Sequence, residues 1–201
     1  MARRLVGGES LVKTPDVRSK DDIRDRLIDA EVLWRNGRKN GAFVLALIAL
    51  AGVSRRRYPK TAPPMVYYDK MREYHPNQIS QITAKQETER PTELSDRRAF
   101  QCMLLDLIED IMLPNPKPGV RPPKYNIRIP FGKTRRDTNI ENIFYDWFRC
   151  NFVHEGRLTP DAFLTPRTER GDELHLTQPT GIPEAWIPNL LVALSKTPEL
   201  A

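Results

Sequence analysis

The chain has 201 residues, 39% of them hydrophobic, which is enough for one full core and makes a single domain the default. Lys and Arg outnumber Asp and Glu by 32 to 26, a formal charge of +6 and a pI near 9.4, so the balance leans toward an anionic partner without demanding one. No run reaches the roughly 20 apolar residues that span a bilayer. The opening MARRLVGGESLVKTPDV lacks the apolar stretch of a secretory signal, and the two cysteines, Cys102 and Cys150, sit in predicted helices. The expectation is a soluble cytoplasmic protein with reduced thiols and no membrane partner.

Residues 1–20 mix Gly, Ser, Thr, Pro and charge without periodicity, the pattern of a mobile arm, and the domain proper is expected over 21–197. From Asp21, taken as N-cap, Ile23, Leu27, Ala30 and Trp34 recur at helical spacing and predict an amphipathic helix ending near Asn36-Gly37. GAFVLALIALAGV then leaves no polar face, so a second helix is expected at the buried centre of a bundle. It ends at Ser54-Arg55-Arg56-Arg57, whose charges suit a helix C-terminus, and Pro59 forbids simple continuation. The proline-punctuated stretch from Tyr58 to Thr92 offers one short helix, Tyr67 to Tyr74. A third long helix starts at Leu94-Ser95, carries Phe100, Met103, Leu104, Leu107, Ile108 and Ile111 on one face, and closes at Pro114.

A proline-rich crossover follows, with an alternating patch, Tyr125, Ile127 and Ile129, that suits an edge strand; ELHLT, further on, is its expected partner in a two-stranded flap. The crossover brings Lys133, Arg135 and Arg136 to the start of TNIENIFYDWFRCNFVHEG, the clearest helical signal in the chain. Ile140, Ile143, Phe144, Trp147 and Phe148 share a face, Asn139 is the expected N-cap, Glu141 lies in the first turn, and Gly156 suits a C-terminal cap. That helix closes on Arg149, Cys150, Asn151, His154 and Glu155, the candidate site. Pro183 to Leu194 predicts a closing helix that begins late or kinks at Pro188. The architecture expected is all-α, four or five helices in a bundle, with a minor two-stranded β element.

Arg149-Cys-Asn-Phe-Val-His154, on a late helix of such a bundle, resembles the R-x4-6-H motif of the HEPN superfamily, the higher eukaryotes and prokaryotes nucleotide-binding domain. WRNGRKNGAFVLALIALAGVSRRRYP is similar to the helix pair that opens many such domains. The resemblance covers Asp21 to Leu158 and implies a metal-independent endoribonuclease, an RNA- or nucleotide-binding protein, or a non-catalytic helical module. In the family's nucleases the histidine serves acid-base catalysis and the arginine holds phosphate, commonly across a homodimer. Here those residues are His154 and Arg149. The residue after the arginine is often polar in the nucleases, and in this chain it is Cys150.

Each of these residues also has a plain structural reading. Arg149 has Asp146 at i−3 to pair with and Tyr145 to cover, and His154 is suited to the dipole at a helix end. On an ideal helix, five steps of about 100° set Arg149 and His154 roughly 140° apart, which a homodimer-shared site would reconcile. Cys150 and His154 are spaced to share a metal, yet a zinc site usually takes four ligands, and His75 and His175 stand apart in sequence, so neither metal nor cofactor is expected. The basic runs Arg55-Arg56-Arg57, Arg97-Arg98 and Arg135-Arg136 become an RNA track only if folding gathers them. Without a metal, RNA cleavage would use the substrate's 2′-hydroxyl, with His154 exchanging the proton, Arg149 on the phosphate, and Asn151 and Glu155 orienting the imidazole or the ribose.

Overall fold

A computed structural model describes residues 19–89, 91–112, 128–131, 136–150, 162–165 and 180–201. Helix α1, Lys20–Arg35, opens on Ser19 rather than Asp21, because the Ser19 side chain accepts the backbone N–H of Asp22 at 3.1 Å. Asp21 and Asp22 instead occupy the first turn, where carboxylates complement the helix dipole. The chain reverses at Gly37, whose φ of +72° few side chains tolerate. Gly37 N–H donates to Trp34 O at 3.0 Å and Arg38 N–H to Leu33 O at 2.9 Å, the paired bonds that stop a helix with a left-handed residue. Helix α2, Lys39–Arg57, follows at once and buries Ala42, Phe43, Ala46, Leu47, Ala49, Leu50 and Val53.

Around α2 pack α1, α5 (Asp96–Met112) and α7 (Trp186–Ser195), with α3 (Met65–Tyr74) and α4 (Ile79–Glu89) outside α5. α3 is the short helix expected at Tyr67 to Tyr74, begun two residues earlier, while α4 was not expected; together they take the helix count past four or five. Tyr67, Tyr68 and Met71 of α3 meet Leu94, Ala99, Cys102 and Leu105 in a second, smaller core. Pro188 sits in the first turn of α7, where its missing N–H costs no helical bond. Asn189 Nδ2 donates to Ile111 O at 2.8 Å, answering a carbonyl at the end of α5 that the helix itself cannot. Leu200, in a turn at Pro198–Leu200, is buried in the main core, so the packed unit runs past the expected limit at 197.

The fold is therefore all-α with minor β structure. Strand β1, Arg128–Phe131, pairs antiparallel with β2, Arg136–Asn139; ELHLT, its expected partner, lies outside the described residues. A second pair is parallel, β3 (Ala162–Thr165) beside β4 (Thr180–Pro183). Because Thr138 and Asn139 finish β2, helix α6 starts at Ile140. It makes one α-helical turn, Ile140–Asn142, then winds as a π-helix over Ile143–Cys150. Ile140, Ile143, Phe144 and Phe148 are buried as their spacing predicts. Phe43 packs edge-on against Phe144 and Phe148, at 5.8 and 5.2 Å between centroids, and Phe144 stacks on Trp186 at 6.2 Å. These aromatic contacts fix α6 against α2 and α7.

Candidate functional site

The outer face of α6 carries Tyr145, Asp146 and Arg149. The Tyr145 ring lies edge-on to Phe100 of α5 at 5.3 Å, so the two helices share an aromatic platform. The Arg149 guanidinium stands 5.0 Å from the Tyr145 centroid and 5.8 Å from that of Phe100. Arg97, from the first turn of α5, approaches the same Tyr145 ring at 5.6 Å. A ring flanked by two guanidinium groups concentrates positive charge over an apolar floor. Arg149 does not pair with Asp146: that carboxylate takes Arg97 Nη2 at 2.7 Å. Burial pushes the Asp146 carboxyl above its ordinary range, and the opposing pull of Arg97 does not cancel it.

Behind the platform a cavity of about 250 Å³ lies between α2, α5 and α6, lined by Ile48, Ala51, Gly52, Ser54, Arg55, Asp96 and Arg149. Arg55, in the basic run that ends α2, is only 7% exposed. Its Nη1 donates to Leu94 O at 2.9 Å and Tyr58 O at 3.2 Å, and its Nε bonds Asp96. Those bonds tie the end of α2 to the start of α5. Arg55 Nη2 and Arg149 Nε are buried with no hydrogen-bond partner among the described residues. A buried guanidinium N–H left without an acceptor is costly, which marks both side chains as under-satisfied. Arg57 turns the other way, to Glu199 at 2.7 Å and Asp106 at 3.3 Å.

Of the residues singled out in sequence, Arg149 and Cys150 end the π-helical stretch, and Cys150 is a half-buried free thiol. Asn151, His154, Glu155, Lys133 and Arg135 lie outside the described residues, and Arg136 opens β2 opposite Phe131. The ideal 100° step does not describe the turn that reaches Arg149, because its hydrogen bonds run i to i+5. Among the described residues no group of three or more His, Cys, Asp and Glu side chains is arranged to hold a metal, and no helix is long and apolar enough to cross a membrane.

One pair was missed. His75, which stands apart in sequence, is 2% exposed and its Nε2 lies 3.0 Å from Oε1 of Glu141, itself 1% exposed. Neither residue signals the other from a distance of 66 positions. Arg55 did leave a trace, since it continues at i+4 and i+8 the register of Ala51 and Leu47 on the buried helix.

Fold and site define a helical protein with an arginine-lined aromatic platform. A family model described as Rv1289 matches residues 22–195, and the chain belongs to the Rv1289 family. No curated protein and no solved structure matches it.

Proposed function

We propose that this is a HEPN-like protein that acts on RNA, holding the phosphate backbone with the arginines gathered at α6 and cleaving it through His154 without a metal. The observation that carries this reading is the meeting of basic groups from separate elements. Arg55 of α2 and Arg149 line one cavity, and Arg97 of α5 and Arg149 flank one ring. Asp96 and Asp146 answer two of these three charges, leaving a positive excess at the platform. The guanidinium groups that flank Tyr145 give an unstacked base planar surfaces to lie on. In the reaction, His154 takes the proton of the 2′-hydroxyl or returns one to the leaving oxygen. Arg149 holds the scissile phosphate and stabilises the charge that builds on its oxygens. Two copies paired as a homodimer would bring two motif helices to one groove, and light scattering at tens of micromolar should then return a dimer mass.

The test is a labelled single-stranded RNA mixed with the protein in EDTA. Cleavage to 2′,3′-cyclic phosphate ends, none on a fully 2′-deoxy strand, and its loss in folded His154→Ala and Arg149→Ala are expected. Cleavage of the deoxy strand, or full activity in His154→Ala, would overturn the mechanism. A second reading is a non-catalytic module for nucleotide binding or protein interaction, and the two ring contacts of Arg149 favour it, since they already give that side chain structural work. Under it, RNA is not cut.

A further inference from the structure

On the other side of α5 a separate cavity of about 210 Å³ opens between α3, α4 and the start of α6. The His75 and Glu141 pair borders it. Glu141 Oε1 is taken by His75, while Oε2 is buried with no hydrogen-bond partner among the described residues. A buried carboxylate oxygen without a donor is costly, and it belongs to the only carboxylate among the residues that line this cavity. At the mouth the amides are already oriented. Asn139 Oδ1 accepts from Gln78 Nε2 at 3.2 Å, and Asn142 Oδ1 accepts from Gln101 Nε2 at 2.7 Å and from Arg97 Nη2 at 3.2 Å. With both carbonyl oxygens engaged, the Asn139 and Asn142 amide nitrogens remain as donors, and Gln78 keeps its oxygen as an acceptor. Tyr67, Met71 and Ile82 supply aromatic and apolar wall.

We propose that this cavity binds a single nucleobase by an edge that carries an exocyclic amine, the amine donating to Glu141 Oε2 and the neighbouring ring or carbonyl acceptors meeting the asparagine amides. A simple ammonium ion would satisfy the carboxylate and leave the amide donors unanswered. A planar heterocycle answers both and lies against the tyrosine. Oε2 is covered by protein, so seating the base requires a small shift of the wall, repaid by the hydrogen bond the oxygen lacks. The inference rests on the RNA reading for its choice of ligand class and does not use Arg149; of the platform residues only Arg97 touches it, through Asn142 Oδ1.

Adenosine, cytidine, guanosine and uridine, titrated separately and followed by saturation-transfer NMR and calorimetry, test it without any phosphate. At least one amine-bearing nucleoside should bind roughly tenfold or more tightly than uridine, which offers carbonyls where the amine would be. In Glu141→Gln, His75 still holds the carbonyl oxygen and an amide N–H₂ replaces Oε2, so preference should swing toward uridine. A merely structural role for Glu141 would leave the preference where it was. Should Glu141→Gln fail to fold, Ile82→Trp fills the cavity and leaves the pair intact, and it should abolish nucleoside binding. Absence of binding by all four nucleosides, or an unaltered preference in Glu141→Gln, overturns the inference. Arg149→Ala should bind nucleosides as the native protein does, so failure of the RNA reading and failure of this one are told apart.

Discussion

At the scale of single residues, Arg149 rests its guanidinium on two rings while its Nε stays unpartnered among the described residues. Its contacts with Tyr145 and Phe100 are each worth about 0.5–1 kcal/mol at partly exposed sites. Arg149→Ala should therefore cost about 1–2 kcal/mol and lower the melting temperature by only a few degrees, since a domain of this size shifts about 2–4 °C per kcal/mol. Calorimetric scanning of the two proteins checks this, and a fall of 10 °C or more would make Arg149 chiefly a core residue. Sequence made half of this visible. The aromatic neighbour at i−4 was legible from helical spacing, whereas the loss of Asp146 to Arg97 was not, because that competition comes from another helix. The same limit hid His75 from Glu141: two polar residues on different elements acquire a relation only when the elements pack.

At the scale of elements, the period of the apolar residues gave α1, α2 and α5 almost to their ends, since each buries a stripe or a whole surface against its neighbours. α3 was legible from Tyr67 on and α4 was obscured in a stretch punctuated by prolines, and the π-helical winding of α6 leaves Ile140, Ile143, Phe144 and Phe148 buried as an α-helix would. The α1–α2 hairpin depends on a close approach that residue type does announce, a glycine in the middle of an apolar helix. A Cβ at Gly52 would lie 2.8 Å from Ile23 Cγ1 and 2.9 Å from Cδ1. Gly52→Ala gains about 1 kcal/mol in helix propensity, while forcing a methyl into that packed contact costs about 1–3 kcal/mol. The expected outcome is a small net loss of stability in urea. Combining it with Ile23→Ala, which leaves room for the new methyl, should give a double mutant more stable than the sum of the two single losses. Simple additivity would show that the helices can move apart at no cost.

At the scale of the molecule, the division into two cores has a consequence at high pH. The smaller core and its border gather weak acids that burial keeps protonated. Burial, aided by Asp106, pushes the Cys102 thiol from its usual value near 9 up to about 12. Burial likewise raises Tyr67, aided by Glu141, and Tyr74, aided by Glu73, each to about 12, and Tyr58 beyond that, helped by its hydrogen bond to Asp106. Every one of these groups binds its proton more tightly folded than unfolded. Below about pH 9 both states keep the protons and stability does not change on their account; above it the unfolded chain releases them first, so the free energy of unfolding falls as pH rises toward 12. Urea midpoints taken stepwise through this window should decline, steepening as the tyrosines join the thiol. Cys102→Ala removes the group that titrates lowest in the unfolded chain, so it should delay the onset of the decline even if the small cavity it leaves lowers the whole curve. A midpoint that stays level from pH 9 to about 11 would mean that water reaches these groups and that α3 does not close over α5 as the buried Tyr68, Leu94 and Cys102 require.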